Sequence, residues 1–136
     1  NAYLKEVISL LAQDFDYVVI DGEAGIEQIN RRVMEQVTHL ILVTDPSRKG
    51  VQVVKTIQKV AQELVMYKQC GVIVNRVSDP SMLELVDLSP LDLLTSIPAD
   101  SLHASNEVRG LSVFELDDDA LLLKGAKEAL EKWNIL

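Results

Sequence analysis

Apolar and polar positions along this chain fall into blocks whose period switches between that of a helix and that of a buried strand. From Ala2 to Ala12, Leu4, Val7, Ile8 and Leu11 recur at three- and four-residue spacing, which predicts an amphipathic helix. Tyr17-Val18-Val19-Ile20 is an unbroken apolar run, too short for an ordinary helix and too uniform for a half-exposed strand. It predicts a central parallel strand buried on both faces. Residues 26–37 carry a partly helical pattern, and Leu40-Ile41-Leu42-Val43 predicts a second buried strand. Asp45-Pro46-Ser47 supplies a helix start with Asp45 or Ser47 as cap. That helix runs to about Tyr67 with Val53, Val54, Ile57, Val60, Ala61 and Leu64 as its buried stripe. Val72-Ile73-Val74-Asn75 is a third strand, Asp79-Pro80 opens a short helix, and Leu93 to Ile97 is a fourth strand ending at Pro98. Ser101 to Arg109 is a helical turn before Gly110, and a last helix spans about Asp117 to Trp133. Its three leading acids and its later Lys124, Lys127 and Lys132 match the helix dipole, so Asp117-Asp118-Asp119 reads as capping rather than as a metal cluster.

Strands alternating with helices imply an α/β domain with a mostly parallel sheet, and 136 residues are enough for one such domain with a core. A formal charge of −8 argues against a nucleic-acid surface, which needs a basic face. No apolar stretch reaches membrane-spanning length, and the amino end lacks a signal pattern. A single cysteine, Cys70, excludes an internal disulfide and fits a reducing cytoplasm, where it serves as a small apolar residue. With only His39 and His103 besides, no closed zinc site is spaced in the chain. The chain begins with Asn rather than Met, which reads as a fragment, a processed product or an excised piece.

Ligands of parallel α/β sheets bind at the carboxyl ends of the strands, and three such ends carry polar groups. The first offers Asp21, a carboxylate able to hold Mg²⁺ directly or through water, and Gly25, whose bare amide can approach a terminal phosphate. The third strand ends in Asn75-Arg76, where a side-chain amide can both donate to and accept from an adenine edge. The fourth ends in Ile97-Pro98-Ala99-Asp100, a proline-fixed loop able to close over a base. Each alone is more often structural; together, on one sheet edge, they point to a nucleotide. No G-x-x-x-x-G-K-[ST] phosphate loop is present, and Lys55-Thr56 lies inside a helix as a chance match.

These stretches resemble the MinD/ParA-type P-loop ATPases, most of all the CooC group that assists nickel insertion into carbon monoxide dehydrogenase. The resemblance rests on Asp21-Gly22-Glu23-Ala24-Gly25-Ile26-Glu27 with Arg31, Thr44-Asp45-Pro46-Ser47, Asn75-Arg76-Val77 and Ile97-Pro98-Ala99-Asp100. It implies that residues 1–136 are the carboxyl-terminal portion of a Rossmann-like, three-layer P-loop NTPase domain. The P-loop strand, expected between the Asp21 strand and the Leu40–Val43 strand, is missing. Asp21 is implied as the switch carboxylate organising Mg²⁺ through water, and Gly25 as the amide facing the γ-phosphate. Asn75, with Arg76 beside it, is implied to read adenine, and Pro98, Ala99 and Asp100 to line the base pocket. ATP or ADP and Mg²⁺ are the implied cofactors, a homodimer or the missing amino-terminal half the implied partner, and a nickel enzyme the client. The parent protein is then an ATPase, and this stretch alone is inactive. Gln28 stands where the group usually shows His, and Asn30 where it often has Gly. Two other readings fit the same residues: a positioning or partition ATPase of the same fold, and a non-catalytic α/β interaction module.

Overall fold

The computed structural model describes residues 2–22, 37–64 and 67–136. Contacts divide the chain into two units, Asn1–Leu40 with Thr56–Gln69, and Ile41–Lys55 with Cys70–Leu136. The described elements are α1 (Ala2–Leu11), β1 (His39–Thr44), α2 (Arg48–Leu64), β2 (Gln69–Val77), β3 (Asp92–Pro98), α3 (Ser101–Val108) and α4 (Leu121–Lys132), with 3₁₀ turns at Pro80–Leu85 and Val113–Glu115. The strands form a three-stranded parallel sheet in the order β1-β2-β3.

In the second unit, β2 and β3 are the core. Val72 and Val74 are fully buried, and Ile73, Val77, Leu94 and Ile97 nearly so. A continuous apolar run is what a strand covered on both faces requires, and each buried valine contributes about 1.5–3 kcal/mol of transfer free energy. Helix α4 covers this sheet. Its Ala129 packs with Ile73, Leu94 and Ile97, flanked by Leu122 and Trp133. A Cβ at Gly125 would fall 2.7 Å from Ile97 Cδ1, so only glycine lets the helix lie this close to β3. Polar clamps reinforce the contact: the Thr95 hydroxyl donates to Glu128 at 2.7 Å, and the Lys132 amine donates to the Leu93 carbonyl. The pairing of β2 with β3 is parallel, with register shifts between Val72 and Ile73 and between Val74 and Val77.

Local signals account for most element boundaries. Ser47 caps α2, its hydroxyl accepting from the Gly50 amide at 3.0 Å, while Asp45 accepts from the Ser47 amide at 3.0 Å. Asp79 opens the first 3₁₀ turn by accepting from Ser81, as Asp-Pro predicts. Ser112 and Glu115 form a reciprocal capping box at the second.

Four expectations need correction. Tyr17–Ile20 forms no strand; it has no regular secondary structure, with Tyr17, Val18 and Val19 65%, 45% and 94% exposed. An apolar run becomes a buried strand only when neighbours occupy its edges and faces, and this run lies outside the sheet. Strand β1 is present but buried on one face only: Leu40, Leu42 and Thr44 point inward while Ile41 and Val43 are exposed. Of the predicted α2 stripe, Val54 and Ala61 are buried and Ile57, Val60 and Leu64 half-buried, but Val53 is exposed, and Val51 and Gln58 are buried instead. Finally, Asp117–Asp119 precede α4, which starts after Ala120 without a side-chain cap, so the acids sit in a turn. Helix α1 forms as predicted, yet its Leu4 and Leu11 are exposed. The partly helical pattern at 26–37 lies outside the described residues except for Val37.

Candidate functional site

The carboxyl ends of the three strands meet the sequence's candidates in the second unit. The register pairs Val77 with Pro98, and the Ala99 amide donates to the Val77 carbonyl at 2.9 Å. Asn75-Arg76 therefore lies beside Pro98-Ala99-Asp100, one strand apart. The ladder is broken between Val74 and Val77, and Arg76 takes the left-handed conformation at φ 59°. Its backbone amide donates to Asn75 Oδ1 at 2.8 Å. Asn75 is half-buried and Arg76 exposed, and the guanidinium makes no ion pair among the described residues.

Pro98 and Ala99 are exposed, while Asp100 is half-buried at the start of α3. There its carboxylate accepts from the Leu102 amide at 2.9 Å and the His103 amide at 3.2 Å. Asp100 thus has a capping role that sequence reading did not assign, and this bond fixes the path of the loop from Pro98 into the helix.

Strand β1 brings Asp45 to the same edge, a residue the sequence offered only as a cap. Hydrogen bonds from the Ser47 hydroxyl and then the Ser47 amide hold its carboxyl below the usual range, with a smaller contribution from the charge of Arg76. A Cβ at Gly50 would fall 2.6 Å from Asp45 Oδ1, so the first turn of α2 closes directly on this carboxylate. The signal for it was present in Thr44-Asp45-Pro46-Ser47, where a polar residue follows a buried strand as it does at Asn75.

Asp21 is exposed and belongs to the first unit. Gly25, Glu23, Glu27 and Arg31 lie outside the described residues. Among the described residues no group of three or more His, Cys, Asp or Glu is arranged to hold a metal. His39 shares a hydrogen bond with the Thr38 hydroxyl at 2.9 Å, and His103 faces Glu107 across 3.9 Å. Cys70 is half-buried, and burial, with Asp92 nearby, pushes its thiol up to about 11, which keeps it protonated and unreactive at neutral pH. A cavity of about 230 Å³ lies against α3, lined by His103, Asn106, Glu107, Leu111, Ser112, Val113 and Leu116, and includes none of the strand-end candidates. At the strand ends the described residues offer the half-buried side-chain amide of Asn75 beside the Pro98–Asp100 loop and supply no cradle for phosphates.

No protein-family model matches the chain. Among curated proteins it is 34% identical over 137 residues to an uncharacterized ATP-binding protein of Methanocaldococcus jannaschii, covering 97% of this chain and 54% of that protein. It is 33% identical over 111 residues to the carbon monoxide dehydrogenase accessory protein CooC of Rhodospirillum rubrum, covering 79% of this chain and 41% of that one. Among solved structures, the cell division ATPase MinD of Pyrococcus furiosus superposes with a TM-score of 0.71 at 22% identity. That match covers 96% of this chain and 56% of the other, and it establishes the fold. The chain spans about half the length of the curated relatives it matches. No helix among the described residues is long and apolar enough to cross a membrane.

Proposed function

Since the chain belongs to the MinD/ParA-type ATP-binding proteins and spans about half the length of its relatives, we propose that it forms the base-reading part of an ATP site. The observation that carries this reading is the adjacency of Asn75-Arg76 and Pro98-Ala99-Asp100 at the ends of β2 and β3. Open parallel sheets bind ligands at that edge. Asn75, with the Arg76 backbone beside it, would hydrogen-bond the adenine ring, and Pro98 to Asp100 would border it, the loop held by the Asp100 cap. Asp21 would position the attacking water and support Mg²⁺ through water, and Gly25 would offer its amide to the γ-phosphate. Mg²⁺, when bound, would neutralise charge developing on the transferred phosphoryl group. The phosphate cradle would come from sequence outside these 136 residues, so this stretch alone would not turn over ATP.

Within the family we assign it to the CooC-like metallochaperones, which couple hydrolysis to nickel delivery to a client enzyme. Support comes from the similarity to CooC and from the Asp21–Glu27 stretch with Arg31. A MinD- or ParA-like positioning role is the second reading. The net charge of −8 speaks against attachment to nucleic acid or an anionic membrane. Titration of the full-length protein with ATP tests the common part: Asn75→Ala is expected to weaken binding about tenfold, the worth of one hydrogen bond to a buried partner. Unchanged affinity would refute the base-reading role. Equilibrium dialysis with Ni²⁺ separates the two finer readings. Nickel held by the ATP-bound protein and released on hydrolysis supports the metallochaperone, whereas ATP turnover without nickel binding supports the positioning protein.

A further inference from the structure

A regular strand would project Asn75 and Arg76 to opposite faces and leave the amide of Asn75 free to rotate. Here neither holds. The register shift between Val74 and Val77 interrupts the ladder, Arg76 adopts φ 59°, and its N–H is captured by Asn75 Oδ1 at 2.8 Å. Capturing the oxygen leaves the NH₂ group, which has no hydrogen-bond partner among the described residues, as the end of the amide available to a ligand. Bulges of this kind re-aim side chains beside binding sites.

We propose that Arg76 is a positioning residue acting through its main chain: its left-handed N–H locks the Asn75 amide so that Nδ2 donates to a ring nitrogen of the bound purine. The proposal rests on the base-reading role given above and adds to it both the donor atom and the device that orients it. Leaving the amide unlocked would let it present either end, which blurs discrimination among bases as well as weakening binding. The flanking loop supports the arrangement, because Ala99 is tied to Val77 and Asp100 is engaged in capping α3. Neither competes for the amide.

The roles of backbone and side chain separate by substitution. Glycine adopts a positive φ freely and keeps the N–H, whereas a β-branched residue resists it. In the full-length protein, Arg76→Gly is expected to bind ATP within about twofold of wild type and to keep its preference for ATP over GTP. Arg76→Val is expected to lose about tenfold in ATP affinity and to narrow that preference, as one misdirected hydrogen bond would cause. Asn75→Asp, which keeps the acceptor for the Arg76 N–H but removes the outward donor, is expected to lose as much as Arg76→Val, and it serves if the valine variant does not fold. Arg76→Gly as damaging as Arg76→Val would place the function in the guanidinium and overturn the proposal. So would Asn75→Asp binding and discriminating like wild type. Wild-type protein that binds neither nucleotide would instead refute the base-reading role itself, and this inference with it.

Discussion

Two apolar runs of almost the same composition end in different states. Val72-Ile73-Val74 lies in β2, with Val72 and Val74 fully buried; Tyr17-Val18-Val19-Ile20 is coil, with Val19 94% exposed. β-branched residues dominate both, and both are followed by a polar residue that suits a ligand edge. The difference lies in their company. β2 is bonded to β1 and β3 and roofed by α4, whereas the earlier run has no place in the sheet. Hydrophobic sequence supplies a tendency to be buried, and hydrogen-bonded neighbours decide whether it becomes a strand.

Matched truncations in the two runs should differ most. Val74→Ala is expected to cost about 2–3 kcal/mol in denaturant unfolding, from lost transfer energy plus a cavity. Val19→Ala is expected to change stability by less than about 0.5 kcal/mol, as exposed substitutions do. Equal effects would mean that the two runs are equally buried in solution.

Legibility in the sequence followed the same division. β2, β3 and the Asp79 turn were readable because each carries its own local signal: an unbroken β-branched run, a proline stop, a capping Asp. Where a boundary depended on tertiary context, reading failed. Nothing local distinguishes Tyr17–Ile20 from Val72–Val74, and the open face of β1 at Ile41 and Val43 shows only once the sheet is assembled. At the site, Asn75 and Pro98 to Asp100 were found from their position after strands. The broken register and positive φ at Arg76 were not legible, since no glycine marks them.

A smaller effect is expected at the start of α2. Ser47→Ala removes the hydroxyl that accepts from Gly50 and should cost about 1 kcal/mol, read as a lowered Tm. It would also remove the main cause holding the Asp45 carboxyl low, so the Asp45 pKa, followed by NMR, should rise.

The smallest effect concerns Cys70, at the start of the buried strand. Its pKa in the folded state, about 11, lies above the ordinary 9.0, so the fold favours the protonated thiol. The resulting stabilisation is fully present below pH 9.0 and is lost as pH rises through about 11. Alkylation by iodoacetamide should accordingly be slow at pH 8 and rise toward pH 11, while Cys70→Ser should flatten the alkaline loss of stability. Rapid alkylation at pH 8 would show that the strand opens there.

Amide NMR of the full-length protein reads directly whether a purine sits at the ends of β2 and β3. ATP should shift the Asn75 side-chain amide and the backbone amides of Arg76, Ala99 and Asp100, whereas inorganic triphosphate, lacking a base, should leave them in place. Saturating ATP binding with those resonances unmoved would contradict that placement.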